Sequence, residues 1–236
     1  MTFALSNLVA SPPDDRDFPY VTRAFANTGD LRRYAGAIED QQSIGSCTAN
    51  ATVSACEIIL DRAGQPLNLS RLFNYLLSRE LGGLAGQEGA YLRDAIRVAH
   101  HQGLPSESEW PYNIAQQNER PPQSVFDSAL QRLLGRYERI DMTSRDWEPQ
   151  FNAIRSALTE GCPVVFAMRI GRLFGEMFGP LATHYYPPLS ANTPGNGYWG
   201  NHAMVIVGYD SNSLILENSW GIGWGDLGYG RIGFQC

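Results

Sequence analysis

Asp40-Gln41-Gln42-Ser43-Ile44-Gly45-Ser46-Cys47-Thr48-Ala49-Asn50-Ala51 is the stretch from which this chain is best read. It gains meaning from two segments far downstream. One is Gly200-Asn201-His202-Ala203-Met204-Val205-Ile206-Val207-Gly208-Tyr209; the other is Glu217-Asn218-Ser219-Trp220-Gly221-Ile222-Gly223-Trp224-Gly225. A thiol, an imidazole and an amide in that order are the parts of a cysteine nucleophile, its base and the group that orients the base.

Each part has a physical reason to be where it is. A cysteine attacks as its thiolate, which a helix N-terminus and a nearby imidazolium both favour. Cys47 stands where a helix should begin, just after Gly45-Ser46, which lets the backbone approach closely. Taken alone, a cysteine is more often buried and inert, and a histidine opening an apolar strand is more often a satisfied core residue. The partners change that balance. Asn218 follows His202 on the next expected strand, beyond the turn at 210–213, so a hairpin brings the two side chains close. The amide oxygen of Asn218 would accept the imidazole N–H and fix its tautomer without adding a charge. Trp220 falls on the same face as Asn218 and would shield that bond. Gln41, six residues before Cys47, would offer side-chain N–H groups to an oxyanion together with the Cys47 amide.

Composition narrows the surroundings of this chemistry. A chain of 236 residues that is 43% hydrophobic has ample core for one large domain or two packed lobes. The formal net charge of -6 argues against a nucleic-acid or anionic-membrane partner. Cys47, Cys56, Cys162 and Cys236 show no C-x-x-C spacing, which speaks against a structural zinc site. No basic n-region with a long apolar segment opens the chain, so no secretory signal and no membrane span is expected. The location that follows is cytoplasmic, or exported without a recognisable signal peptide.

Residues 1–30 read as a polar, Pro-containing lead, either a surface strap or a short pro-segment over the cleft. Helices are expected from Ser46 or Cys47 to about Arg62, from Ser70 onward, over about Ala90–Gln102, over about Ser124–Leu134 and near Glu148–Thr159. Strands are expected at Pro163–Met168, His202–Tyr209, Ser213–Glu217 and Gly228–Phe234. Helices thus precede strands, an α+β order with the thiol in one half and the imidazole in the other.

On these blocks the chain resembles the papain family of cysteine peptidases, and its bacterial members most. The resemblance rests on Gln41 through Cys47, on Asn201-His202-Ala203 with Gly208-Tyr209, and on Asn218-Ser219-Trp220-Gly221 with Gly223-Trp224-Gly225. It implies a two-lobed fold with a helical lobe over about 41–135, a β-barrel-like lobe over about 136–236, and the active site in the cleft between. It implies that Cys47 is the nucleophile, His202 base and later acid, Asn218 the orienting residue and Gln41 an oxyanion donor. The stretch Glu88-Gly89-Ala90 resembles the segment whose backbone holds an extended substrate, with Gly89 and Ala90 as contacts. The Asn201 carbonyl would meet the residue N-terminal to the scissile bond, and Trp220 would be a further substrate-binding residue.

Several positions depart from the family pattern. Thr48 stands where an aromatic residue is usual and Gln42 where glycine is usual. Ile44 replaces a cysteine that secreted relatives bridge, so thiols rather than disulfides are expected. The specificity pocket must be built differently, with 171–200 as the candidate stretch. His100-His101 reads as a solvated helix end and His184 as a packing residue. No cofactor and no metal is implied. The partners expected are a peptide or protein substrate and an intramolecular N-terminal pro-segment, with no nucleic acid and no membrane. A thioester chemistry of this kind also serves acyl transfer or ligation, and a degenerate peptidase would act as a binding protein.

Overall fold

The structure is a computed structural model that describes residues 18–140, 147–175 and 197–233. Its central helix is α1 (Cys47–Arg62). The sequence from 47 to 62 contains neither Gly nor Pro, and the chain leaves the helix at Gly64, whose φ of 76° suits a residue without Cβ. The helix is apolar on several sides, and it is buried on each of them. Cys47, Ala51, Ala55 and Ile58 form one stripe against Ala203, Val205, Val207 and Leu216 of the sheet. Val53 and Cys56 face Leu69, Ala99 and Leu104, while Ala49 meets Ile44, Leu72 and Tyr75. Complete burial of an aliphatic side chain contributes about 1.5–3 kcal/mol, so this helix joins the cores of both lobes.

The other helices pack around it. In α2 (Arg71–Leu81) the Ser70 hydroxyl accepts the Phe73 N–H at 3.2 Å, the expected cap. Phe73, Leu76 and Leu77 then meet Val98 of α3 (Leu92–His101) and Val125 and Ala129 of α4 (Gln123–Ala129). The fourth helix ends at Ala129 and not near Leu134, because the backbone beyond it finds tertiary partners. The Leu134 N–H donates to Ala99 and the Arg132 carbonyl accepts from Leu104. His100 accepts a packing role, its Nδ1 lying 2.9 Å from the Leu134 carbonyl. The helix α5 (Glu148–Glu160) opens the β-rich half, with Pro149 in its first turn.

The strands are β1 (Gly29–Asp30), β2 (Val164–Gly171), β3 (Tyr198–Tyr209), β4 (Ser213–Glu217) and β5 (Tyr229–Gly233). Between β2 and β3 runs the short α6 (Arg172–Gly175). All pairings are antiparallel in the order β1-β3-β4-β5, with β2 also on β3. Among the described strands this sheet is open, so the expected barrel is only loosely approached: no pairing joins β5 to β2. The short β1 was not foreseen, being two residues long. The register sets Met168 opposite His202, Val205 opposite Glu217 and Glu217 opposite Tyr229.

Residues 18–28 form a strap on the β-rich half. Tyr20 N–H donates to the Arg139 carbonyl, Arg23 N–H to Ser156 and Ala26 N–H to Thr159, while the Tyr209 hydroxyl donates to the Ala26 carbonyl. Their backbone partners therefore lie on α5, β3 and the chain before α5. The rest of the expected lead, His184, Cys236 and residues 176–196 of the expected pocket stretch lie outside the described residues.

One buried ionic group ties the helices together. Arg71 reaches Glu57 with bonds of 2.8 and 3.2 Å and lies 3.4 Å from Glu39. Glu57 also accepts the Leu69 N–H at 2.7 Å. Burial pushes the Glu57 carboxyl up, and Arg71 opposes that push.

Candidate active site

The hairpin formed by β3 and β4 places an imidazole beside an amide. His202 Nε2 lies 2.7 Å from Asn218 Oδ1, the arrangement expected from a donating ring N–H. Asn218 Oδ1 also accepts the Ser219 N–H at 2.8 Å, so both contacts agree on which end of the amide is oxygen. The Trp220 ring stacks on His202 with centroids 4.4 Å apart and planes at 27°. The Phe174 ring meets Trp220 edge-on at 5.6 Å, and its carbonyl accepts Trp224 Nε1–H at 2.9 Å. Trp220 and Phe174 together form an aromatic wall against the His202 ring. Burial holds the His202 ring neutral, down to about 4, against the opposing pull of Asn218.

Gln41 and Cys47 approach from the other half. Cys47 is the first residue of α1 and is fully buried, in one cluster with Trp220 and Ala203. One turn later, Asn50 and Ala51 line the same small cavity as Ala203 and Asn218. The start of α1 is thereby set against the edge that carries His202 and Asn218. The Gln41 amide is clamped at both ends: Nε2 donates to the Ile44 carbonyl at 3.1 Å, and Oε1 accepts the Ser219 hydroxyl at 2.8 Å. The Gln41 N–H donates to the Ser219 carbonyl at 2.8 Å. Ser219 thus bridges the two halves, which reading the motif block alone did not reveal, although the residue sits inside it.

The loop between them turns at Gln42, whose φ of 56° lies in the left-handed region. That explains why glycine is usual at this place, and the Gln42 N–H donates to Asp40 at 2.8 Å across the turn. Gly45 is required for a different reason. A Cβ there would come 2.9 Å from the Gly89 nitrogen and 3.0 Å from the Glu88 carboxyl. The Gly45 N–H donates to Glu88 at 2.7 Å, and the Gly89 N–H donates to the Tyr75 hydroxyl at 3.3 Å. Gly89 and the buried Ala90 therefore lie against the loop that leads into Cys47. Tyr112 supports the same loop, its hydroxyl donating to the Gln41 carbonyl at 2.9 Å and meeting Ser46. Asn201 stands in β3 opposite Arg169, directly before His202. Gly221 to Gly225 form a tight turn beneath Asn218, whose N–H donates to Gly228.

The arrangement brings a thiol-bearing helix start, an imidazole, an amide hydrogen-bonded to that imidazole and a clamped glutamine to one boundary between helices and sheet. Comparison with known proteins agrees. A 30% identical protein, the uncharacterized peptidase C1-like protein L477 of Acanthamoeba polyphaga mimivirus, aligns over 83% of this chain and 64% of its own length. This chain thus spans just under two thirds of that relative. The solved structure of xylellain, a cysteine protease from Xylella fastidiosa, superposes with a TM-score of 0.84 at 27% identity, covering 98% of this chain and 91% of that one. Procathepsin L 3 from the larval midgut of Tenebrio molitor shares the fold, with a TM-score of 0.69 at 24% identity over 98% of this chain and 69% of its own. The family model described as papain family cysteine protease matches residues 25–235, a span that holds all three blocks of candidate residues. On that match this chain belongs to the papain family of cysteine proteases.

Proposed function

We propose that the protein hydrolyses peptide bonds through a thioester formed on Cys47. The observation that carries this reading is the 2.7 Å contact of His202 Nε2 with Asn218 Oδ1, which leaves Nδ1 as the ring atom free to exchange a proton with a thiol. In this reading Cys47 attacks the scissile carbonyl as His202 takes its proton. Gln41 and the Cys47 amide hold the oxyanion, each donor being worth roughly 3–4 kcal/mol in related chemistry. His202 then protonates the leaving amine and afterwards activates the water that releases the acyl group. Gly89, Ala90 and Asn201 contact the extended substrate and Trp220 shields the base.

Cys47 and His202 are both buried, and burial disfavours the imidazolium of an ion pair. The enclosed site is therefore the resting state of this reading: substrate enters, and the thiolate–imidazolium pair forms, once a covering element has moved. We infer that the N-terminal lead acts as a pro-segment that must be removed or displaced for activity. Removing residues 1–17 should raise the initial rate on a peptide library; an unchanged rate removes the lead from this role. The reading as a whole is tested by Cys47→Ala, which should end cleavage without unfolding the chain.

A further inference from the structure

The amide of Asn218 is committed at one end only. Its oxygen serves His202 and Ser219, while Nδ2 has no hydrogen-bond partner among the described residues, although Asn218 is only 3% exposed. Asn50 on α1 is the reverse case. Its Nδ2 donates to the Ser46 carbonyl and hydroxyl at 3.0 Å each, and its Oδ1 is left without a partner among the described residues. Glu217 Oε2 is a third such atom, on a residue 6% exposed. One donor and two acceptors are thus left over in the same neighbourhood. All three residues line one cavity between α1, β3 and β4, with about 10 Å³ of free volume. That is about one water molecule, and a polar cavity of this size with three hydrogen-bonding groups suits an ordered water.

We propose that a single water bound in this cavity accepts from Asn218 Nδ2–H and donates to Glu217 Oε2 and Asn50 Oδ1, and that Glu217 is thereby a positioning residue for the Asn218–His202 bond. The proposal rests on the peptidase reading above for its catalytic consequence, though not for the water itself. One accepted and two donated bonds give each of these three atoms a partner. A buried polar group left unpaired is costly, so the bridge resists rotation of the Asn218 amide. It also couples the orienting residue in the sheet to the nucleophile helix, since Asn50 lies one turn beyond Cys47.

The charged surroundings of Glu217 are mixed. From α1 it faces the Ser54 hydroxyl and Glu57; from α2, Arg71; from the chain before α1, Glu39. On β5 its partner is Tyr229, and on β3 the nearby titratable group is His202, held neutral by burial. Desolvation outweighs Ser54 and Arg71, and the Glu217 carboxyl is pushed up to about 7. The water accommodates either form, because it can donate to a carboxylate or accept from a carboxyl.

The test uses the full chain with Glu217→Gln, Glu217→Leu and Asn218→Ala. If Glu217 acts through Asn218, Glu217→Leu lowers kcat about tenfold with KM little changed, and adds less than about twofold on top of Asn218→Ala. Glu217→Gln, which keeps an acceptor oxygen, retains most of the rate. A cost that multiplies in full with that of Asn218→Ala overturns the positioning role. The second arm needs no activity. The side-chain NH2 resonances of Asn218, assigned by their loss in Asn218→Ala, should shift in both Glu217 variants and show a contact to slowly exchanging water in the wild type. Resonances unmoved in Glu217→Gln and lacking that contact overturn the water bridge. A wild type that cleaves no peptide either intact or after removal of residues 1–17 refutes the peptidase reading, and the resonance arm still decides this one.

Discussion

The imidazole of His202 and the amide of Asn218 are held 2.7 Å apart across a single hairpin turn, although they stand 16 positions apart in the chain. Because β3 and β4 pair directly, the contact is built by sheet register and does not depend on long-range folding of a loop. The Trp220 ring stacks on the His202 ring beside it. Asn218→Ala should therefore lower kcat by about one to two orders of magnitude while leaving the thiol and imidazole in place. Steady-state kinetics on a peptide substrate check this, and a variant as fast as wild type contradicts it.

Ser219 locks the Gln41 amide through a 2.8 Å hydrogen bond to Oε1. Without that donor only the Ile44 carbonyl holds the amide, and the N–H proposed for the oxyanion is less firmly aimed. Ser219→Ala should reduce kcat about tenfold or more with KM little changed, since an oxyanion forms only in the transition state. A rise in KM at constant kcat would place Ser219 in ground-state binding instead.

Gln42 sits at a φ of 56°, where a side chain is strained and glycine is not. Gln42→Gly should leave the fold unchanged and stabilise it by up to about 1 kcal/mol, less the added freedom of the unfolded chain. Thermal unfolding measures this; a clear drop in Tm would mean that the Gln42 side chain contributes more than its backbone costs.

Arg71 is the cation among Glu57, Glu39 and Glu217. Its replacement by Met strands buried carboxylates, and loss of one partner of a buried pair costs about 3–5 kcal/mol. Arg71→Met should unfold at much lower denaturant concentration than wild type, whereas an exposed pair such as Arg120–Glu80 should cost less than about 1 kcal/mol when broken.

Glu217 gives stability a definite pH dependence. Its carboxyl is raised from 4.5 to about 7 in the fold, so between these values the folded state holds a proton that the unfolded chain has released. Stability from this group is therefore fully present below about pH 4.5 and declines as pH rises to about 7, by up to about 3 kcal/mol. Denaturation across that window should show a decline in wild type that Glu217→Gln lacks. Equal slopes in both proteins would refute it.

The sequence was most legible where chemistry and periodicity coincide. Helix α1, the cap at Ser70 and the strand Ser213–Glu217 follow directly from residue order, and so does the nearness of His202 to Asn218. The end of α4 was less legible, because the backbone of 130–134 bonds to Ala99 and Leu104, which are distant in sequence. Two-residue β1 carries too little pattern to be seen. The supports of the site were harder still. Ser219 stands inside a recognised block, yet its tie to Gln41 spans 178 residues. Glu217 read simply as the end of a strand, since nothing local says that its carboxyl shares a cavity with Asn50. Gln42 was noticed as a departure, but only its φ explains what the departure costs.

The central claim is that Cys47 carries out peptide cleavage, and mass spectrometry of the protein incubated with a peptide library tests it most directly. Wild type, as purified or after removal of residues 1–17, should release cleaved products and carry a transient acyl fragment on Cys47. Cys47→Ala should do neither while melting at the same temperature. Cleavage by Cys47→Ala at a comparable rate, or a library left intact by both forms of the wild type, would contradict the account.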